Sequence, residues 1–244
     1  DEVLRFGEMN RPDIIINCSG MTDISSCEEN PSQAFKVNAL GARNLAIVAA
    51  KMQAKMVQLS TDDVFDGKST EPYTEFDITN PGTVYGKSKL AGENYVKEFT
   101  TKHFIVRSPW VYGKGQNFIN GFLKKVDAGE QLSIASDQFG SPTSANELAR
   151  FLLHLVHTSE YGTYHATNKG VCSRYAFAQE ILKMTGKTAS MQPVPTVMSD
   201  FSKVRPAYAV LDNFIMSMVP IYDFPDWQDS LREYLEERGL YHAE

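Results

Sequence analysis

Several features that define other protein classes are missing from this sequence of 244 residues. No apolar run approaches the roughly 18 residues that a membrane-spanning helix requires, so we expect no membrane partner. Acidic residues outnumber basic ones, giving a net charge of −6 and a pI near 5.5, which argues against a nucleic-acid partner. The composition is that of a soluble globular protein.

Cysteine is also scarce. Cys18, Cys27 and Cys172 form an odd set without the spacing of metal ligands. They indicate reduced thiols in a cytoplasmic protein rather than a disulfide framework, and Cys18 is expected to be a small buried apolar residue. The five histidines show no ligand spacing either, so the sequence predicts no metal site.

Short apolar runs alternate with helical patterns in the first part of the chain. The runs in 12–20 (PDIIINCSG), 55–61 (KMVQLST) and 103–108 (HFIVRS) predict buried parallel strands. Residues 29–54 carry apolar side chains at helical spacing, and a further helix is predicted to carry Tyr85 and Lys89. This alternation indicates a parallel sheet with helices on both of its faces.

The pattern changes after about residue 110. Short strands in QLSIA and GTYHAT stand among helices predicted over 145–158 and 173–184, and an amphipathic helix is predicted from Trp227 to about Arg238. We therefore predict an α/β protein. Residues 1–110 are expected to form the remainder of a Rossmann-like, doubly wound dinucleotide-binding domain, and 111–244 mainly a smaller substrate lobe that is interleaved with the sheet.

Polar residues follow the predicted strands at the places where a doubly wound sheet binds ligands. Thr61 ends the second strand, and the helix with Tyr85 and Lys89 follows it. Residues four apart share one helix face, and an ammonium close to a phenol favours the phenolate. Tyr85 could then donate a proton near neutral pH, and the Thr61 hydroxyl could bond the same substrate oxygen. Such a set suits the reduction of a carbonyl.

Thr61, Tyr85 and Lys89 resemble the Ser/Thr-Tyr-Lys set of the extended short-chain dehydrogenase/reductases. The flanking motifs LSTDDVFDG, VYGKSKLAGE, VRSPWVYG, NFINGFL, DQFGSPT, VRPAYAVLDN and PDWQDSLREYL are similar to those of the dTDP-4-dehydrorhamnose reductase family. The resemblance runs from about residue 11 to 238. It implies reduction of the 4-keto group of dTDP-4-dehydro-β-L-rhamnose to dTDP-L-rhamnose, with NADPH or NADH as cofactor.

The resemblance also implies a role for each matching residue. Tyr85 would be the general acid, Lys89 would lower its pKa and bind the nicotinamide ribose, and Thr61 would orient the keto oxygen. The cofactor would be bordered by Asn17, Cys18, Ser19 and Ser60, together with Tyr85 and Lys89. The dTDP-sugar would meet Thr61, Asp62, Trp110, Asn117 and Arg205.

This chain departs from the family pattern in three places. Asp63 stands where the family has Tyr, and Ser25 where it commonly has Asp. The glycine-rich loop that would cradle the cofactor pyrophosphate is absent from the 244 residues. We therefore expect an N-terminally shortened form of a longer protein, with the first strands and the glycine loop missing, and expect this chain alone to be inactive.

Other interpretations fit parts of the pattern. Tyr85 and Lys89 could be a surface pair, Trp110 could be core packing, and Arg205 could belong to a structural ion pair. Another nucleotide-sugar epimerase or dehydratase, or a non-catalytic regulatory subunit of the same fold, are the alternative functions. No residue pattern indicates Mg²⁺, although the family resemblance is compatible with it, and with a homodimer.

Overall fold

The computed structural model describes residues 2–198 and 206–242, and its centre is a parallel sheet. The strands, numbered along the chain, are β1 Ile14–Asn17, β2 Lys55–Thr61, β3 His103–Ser108, β4 Val111–Tyr112, β5 Leu132–Ala135, β6 Phe139–Gly140, β7 Thr143–Ser144, β8 Gly162–His165, β9 Cys172–Ser173 and β10 Met191–Val194. The main sheet has the order β1-β2-β3-β8, with every neighbouring pair parallel.

Helices join the strands. They are α1 Glu2–Asn10, α2 Ile24–Glu29, α3 Pro31–Phe35, α4 Gly41–Met52, α5 Val84–Phe99, α6 Phe118–Asp127, α7 Ala145–Val156, α8 Arg174–Thr185, α9 Phe214–Met218 and α10 Trp227–Glu237. A π-helical turn, Lys36–Leu40, joins α3 to α4, and 3₁₀ turns span Asp62–Val64 and Thr196–Met198. Within the described ranges, no helix is long and apolar enough to cross a membrane.

The main sheet is covered on both faces, as predicted. Alternate side chains of a strand point to opposite faces, so Met56 and Ile105 pack with the alanines of α4 and with Val96 of α5. Val57 and Phe104 point the other way and pack against α7. The result is a doubly wound α/β arrangement, which confirms the predicted fold class.

A second apolar core lies in the later part of the chain. Side chains of α6, β5, α8 and α10 meet there, with Phe122, Phe177 and Trp227 among the buried residues. The strand β5 pairs in parallel with β10, and the short pairs β4–β7 and β6–β9 connect this lobe to the edge of the main sheet. The segment GTYHAT supplies β8, which pairs with β3 in the main sheet.

The sequence predictions of the main strands and long helices are confirmed, with two differences. The strand β1 is not fully buried, because among the described residues it pairs on one side only, with β2, and Ile14 and Ile16 are exposed. The helices α1 and α6 were not predicted. The helix α1 is short, and it is held by the close contact of Gly7 with Val48 of α4.

Candidate active site

A cavity of about 520 Å³ lies at the carboxyl edge of the main sheet, between the sheet and the lobe. Parallel strands in an open α/β sheet present their carboxyl ends to ligands. All of the predicted site residues line this cavity except Asn17 and Arg205. Arg205 lies outside the described residues.

Thr61 begins the 3₁₀ turn that follows β2. Its hydroxyl donates to Asp62 Oδ1 at 3.0 Å and accepts from the Asp63 amide at 3.2 Å. Asp63, which stands in place of the family's aromatic residue, is buried inside this turn. The departure from the family pattern therefore falls on the turn that positions Thr61.

Helix α5 approaches this turn very closely. Its N-terminus is capped by Thr83, whose Oγ1 accepts from the Gly86 amide at 2.9 Å. A Cβ on Gly86 would lie 2.1 Å from the Asp63 carbonyl oxygen, so any larger residue would push the helix away. This glycine contact brings Tyr85 to the same cavity as Thr61.

Tyr85 and Lys89 are both buried, with 8% and 5% of their surfaces exposed. This excludes a pair on the outer surface. The Lys89 ammonium donates to the Leu59 carbonyl at 2.6 Å. Burial lowers the pKa of Lys89 to about 8, since desolvation disfavours the charged form, while the nearby Glu93 carboxylate opposes the shift.

The loop after β1 forms the neighbouring part of the wall. Cys18 and Ser19 line the cavity. Cys18 is exposed, so the prediction that it would be a small buried apolar residue was wrong. Asn17 lies behind them, donates to Gln58 Oε1 at 2.7 Å, and accepts from the Ser19 hydroxyl at 2.6 Å. It positions Ser19 and is not among the residues that line the cavity.

Asn38 ties this loop to α5 and was missed by sequence reasoning. It sits in the π-helical turn, a distortion that is frequent at functional sites. Its side chain accepts from the Met21 amide at 2.8 Å and donates to the Ser88 hydroxyl at 2.9 Å. The π-helical turn itself has no sequence signal that could have identified it.

Trp110 and Arg174 stack on the lobe side of the cavity. The Arg174 guanidinium carbon lies 3.4 Å from the centre of the Trp110 ring, which is a cation–π contact. Trp110 has a φ of 43°, a conformation rare for large residues. A Cβ on Gly140 would lie 2.6 Å from the Trp110 ring, so the ring rests directly on the Gly140 backbone. Sequence reasoning singled out Trp110 but not Arg174.

Asn117 lines the cavity but its side chain is bonded to the protein. Its Oδ1 caps α6 by accepting from the Asn120 amide at 3.1 Å, and its amide nitrogen donates to the Gly113 carbonyl at 2.6 Å. The nitrogen also lies 3.3 Å from the Tyr234 hydroxyl. The structure thus shows a capping role for Asn117.

Three other polar side chains at the cavity have no such partners. Ser108 Oγ, the Tyr112 hydroxyl and Gln138 Nε2 are buried and have no hydrogen-bond partner among the described residues, and all three residues line the cavity. We call Ser108, Tyr112 and Gln138 the unpaired trio. An unmet buried polar group costs about 1–3 kcal/mol, so these three atoms are places where an added hydrogen-bond partner would stabilise the protein.

Comparison with known proteins places the chain in a family. The model of the RmlD substrate binding domain matches residues 1–239. The spore coat polysaccharide biosynthesis protein SpsK of Bacillus subtilis is 38% identical over 230 residues, which are 94% of this chain and 81% of that protein.

Two crystal structures are similar over nearly the whole chain. A dTDP-4-dehydrorhamnose reductase from Clostridium acetobutylicum is 41% identical, with a TM-score of 0.94 over 97% of this chain and 85% of that one. The dTDP-4-dehydrorhamnose reductase of Bacillus anthracis, in complex with NADP, is 37% identical, with a TM-score of 0.93 over 97% of this chain and 84% of that one. With its Thr61, Tyr85 and Lys89 gathered at one cavity, the chain therefore belongs to the RmlD substrate binding domain family.

Proposed function

We propose that this chain carries the catalytic and sugar-binding residues of a dTDP-4-dehydrorhamnose reductase. The reaction is reduction of the 4-keto group of dTDP-4-dehydro-β-L-rhamnose by NADPH or NADH. The observation that carries the proposal is the meeting of Thr61, Tyr85 and Lys89 at a single buried cavity. The reductases from Clostridium acetobutylicum and Bacillus anthracis support it by name, and the second was solved with NADP.

Tyr85 and Thr61 act on the keto oxygen in this proposal. As the carbonyl is reduced its oxygen gains negative charge and takes up a proton, which the Tyr85 phenol donates. The Thr61 hydroxyl holds the same oxygen. When substrate binds, the one proton of this hydroxyl turns from Asp62 Oδ1 to the keto oxygen, while the bond from the Asp63 amide keeps the hydroxyl oxygen in place.

Lys89 fits the ribose of a nicotinamide cofactor. An ammonium has three donors, and among the described residues one acceptor, the Leu59 carbonyl, has a hydrogen bond to it. The remaining donors suit ribose hydroxyls beside Cys18 and Ser19. When bound, the reduced nicotinamide supplies the hydride for the keto carbon.

The lobe side of the cavity suits a sugar. Arg174 stacks on the Trp110 ring and Gly140 lies against it, so the ring edge is proposed to contact the C–H groups of a sugar. The unpaired trio is proposed to bond the sugar hydroxyls once the ligand brings partners to these buried atoms. Asp62, which also lines the cavity, is proposed to contact the same sugar. Arg205 remains our proposed contact for the diphosphate on sequence grounds alone.

The three cysteines are free, which agrees with a reducing compartment, and we propose a cytoplasmic enzyme. A homodimer is proposed as its assembly, to be checked by the mass of the purified protein in solution.

The test is an assay of the gene product that contains this chain, with dTDP-4-dehydrorhamnose and each nicotinamide cofactor. Product analysis should give dTDP-L-rhamnose, whereas an epimerase or dehydratase would give another sugar, and a regulatory subunit would bind without turnover. Tyr85→Phe removes only the phenol hydroxyl, so turnover should fall about 100-fold while dTDP still binds.

Tyr95→Phe is the matched control. Tyr95 lies on the same helix but packs against Phe99, with ring centres 6.4 Å apart, and is not among the cavity residues. It should keep full activity. If Tyr85→Phe keeps more than half of the wild-type turnover, Tyr85 is not the acid and the proposed mechanism fails.

A further inference from the structure

A buried carboxylate lies one helical turn after Lys89 on α5. Glu93 is 0% exposed. Its Oε1 accepts from the Ser60 hydroxyl at 2.5 Å and from Arg107 Nε at 3.0 Å, and its Oε2 accepts from Arg107 Nη2 at 2.7 Å. Lys97 reaches the same carboxylate from the surface at 3.9 Å.

The sheet register brings these groups together. Ser60 of β2 is paired with Arg107 of β3, so both side chains point to the α5 face and meet Glu93 there. Arg107 is also buried and binds both oxygens of the carboxylate, a two-point geometry that fixes its orientation as well as its charge. Glu93 is therefore held rigidly between the sheet and the helix.

Two of the groups around Glu93 belong to the candidate active site. Ser60 lines the cavity and donates to Glu93. Lys89 precedes Glu93 by four residues and shares its helix face. Burial pulls the pKa of Lys89 down to about 8, and among the charges that oppose this fall Glu93 acts most strongly, ahead of Cys18.

The other ionisable groups that line the cavity with Lys89 come from several elements. They are Cys18 after β1, Asp62 after β2, Tyr85 on α5, Tyr112 on β4 and Arg174 on α8, and Arg107 on β3 lies behind Glu93. The Leu59 carbonyl of β2 adds an uncharged acceptor. Glu93 differs from the other carboxylate, Asp62, because it shares the helix face of Lys89 and is held by a two-point bond to Arg107.

We propose that Glu93 is a positioning residue of the site: held by Arg107, it orients Ser60 and keeps the Lys89 ammonium charged at neutral pH. The inference rests on the proposed function in so far as Lys89 serves the reductase reaction. Glu93 touches neither substrate nor cofactor in this account and acts through its two neighbours.

The negative charge of Glu93 raises the pKa of Lys89, so its removal should lower that pKa. Without Glu93, nothing equivalent opposes the desolvation of Lys89, so its pKa falls further and the side chain becomes neutral at lower pH. An opposite charge at this range changes a pKa by about 1–3 units. Activity and cofactor affinity that need the ammonium should then be lost at a pH about one unit lower than in the wild type.

The experiment compares Glu93→Gln with the double variant Glu93→Gln/Arg107→Met in the gene product that contains this chain. The single variant leaves the Arg107 charge buried without its partner and is expected to be strongly destabilised. The double variant removes both charges, so no buried charge is left without a partner. It therefore keeps the test independent of folding.

Two readouts are measured on each folded protein. One is the pH titration of Lys89 by NMR of side-chain-labelled lysine, assigned with Lys89→Met, in the absence of ligands. The other is kcat/KM against pH. The double variant also removes the Arg107 cation, whose loss offsets part of the loss of Glu93, so we expect the Lys89 midpoint and the alkaline fall of kcat/KM to move down together by less than one pH unit. Glu98→Gln, an exposed change on the same helix, should move neither.

A double variant that folds and keeps the wild-type Lys89 midpoint and pH profile would overturn the proposal and leave Glu93 as a structural ion-pair partner. If the wild-type protein shows no reductase activity, the proposed function fails, but the NMR midpoint still decides whether Glu93 sets the charge of Lys89.

Discussion

The polar groups of Ser60, Thr61 and Lys89 are bonded to the protein itself, whereas three polar atoms of the unpaired trio are not. Ser60 donates to Glu93, Thr61 to Asp62, and Lys89 to the Leu59 carbonyl. Ser108, which is paired with Thr61 in the sheet register, leaves a buried polar atom without a partner among the described residues, and so do Tyr112 and Gln138. A binding site can therefore contain polar groups that are already hydrogen-bonded to the protein and polar groups that still lack a partner.

Groups that act on a reacting atom benefit from being fixed in advance, because reorientation during the reaction costs free energy. Groups that recognise a ligand can be left unpaired, because the ligand then supplies their bonds and a molecule without matching groups is rejected. Under the proposed function, Ser60, Thr61 and Lys89 are groups of the first kind, and the unpaired trio are groups of the second kind.

The largest expected effect comes from disrupting the close contact of Gly86 with Asp63, which holds helix α5 against the turn after Thr61. In Gly86→Ala the new Cβ would collide with the Asp63 carbonyl, so α5 must shift from the turn of Thr61. We expect a loss of unfolding free energy at the upper end of about 1–3 kcal/mol. A shift of about 1 Å at the catalytic groups should lower kcat about 100-fold.

Gly121→Ala is the control for this change. Gly121 lies within α6, where a Cβ would meet no atom within 4 Å. Alanine should raise the unfolding free energy there by about 0.4–1 kcal/mol, because glycine disfavours the helix. Chemical denaturation measures both variants. Equal effects at the two positions would contradict the role given to the Gly86 contact.

A smaller effect is expected from the two serines at the ends of β2 and β3. Ser60→Ala removes a hydrogen bond to a buried carboxylate, and bonds to charged groups contribute about 1.5–3 kcal/mol. Ser108→Ala removes a hydroxyl that has no partner among the described residues. The first should lower the unfolding free energy of the ligand-free protein, and the second should leave it unchanged or raise it.

Denaturation of both serine variants without ligand checks this difference. If Ser108→Ala destabilises the free protein as much as Ser60→Ala does, the Ser108 hydroxyl has a hydrogen-bond partner. Ser108 then does not belong to the unpaired trio.

The smallest change in unfolding free energy is expected at Tyr112 and Tyr234, whose ring centres lie 5.2 Å apart, edge to face. The Tyr234 hydroxyl donates to the Gly113 carbonyl, with an oxygen–oxygen distance of 3.1 Å, and lies 3.2 Å from Asn120 Oδ1. Tyr234→Phe should lower the unfolding free energy by about 1 kcal/mol. Tyr112→Phe should cause no loss, because the Tyr112 hydroxyl is unpaired and burial raises its pKa, which keeps it neutral.

Thermal unfolding of the two phenylalanine variants gives the comparison directly, since each change deletes one oxygen from the same aromatic cluster. A greater loss for Tyr112→Phe than for Tyr234→Phe would remove Tyr112 from the unpaired trio.

Much of this architecture could be predicted from local patterns. Continuous apolar runs marked β2 and β3, and a pair of residues four apart put Tyr85 and Lys89 on one face of α5. The motifs that resemble the reductase family added Trp110 and Asn117 to the cavity wall. The strands and the shared helix face could be predicted because strand burial and helical spacing depend mainly on the order of side chains along one element.

Other features depend on residues that are distant in sequence. Arg174 follows Trp110 by more than sixty residues, and their stacking results from the pairing of β6 with β9. The presence of a tryptophan or an arginine in the sequence does not by itself predict that these two side chains stack. The exposure of Cys18 was predicted wrongly for the same reason, since burial is set by the packing around a residue as well as by its own polarity.

The sequence by itself determined the α/β fold, the chemical groups available for carbonyl reduction, and the helix face that carries them. Only the tertiary structure decided which of those groups are already bonded. Whether a serine donates to a carboxylate, as Ser60 does, or remains unpaired, as Ser108 does, depends on what the neighbouring strand and helix place within about 3 Å of its oxygen. That distance is set by strand register and by close contacts such as that of Gly86 with Asp63, which spacing along the chain does not specify.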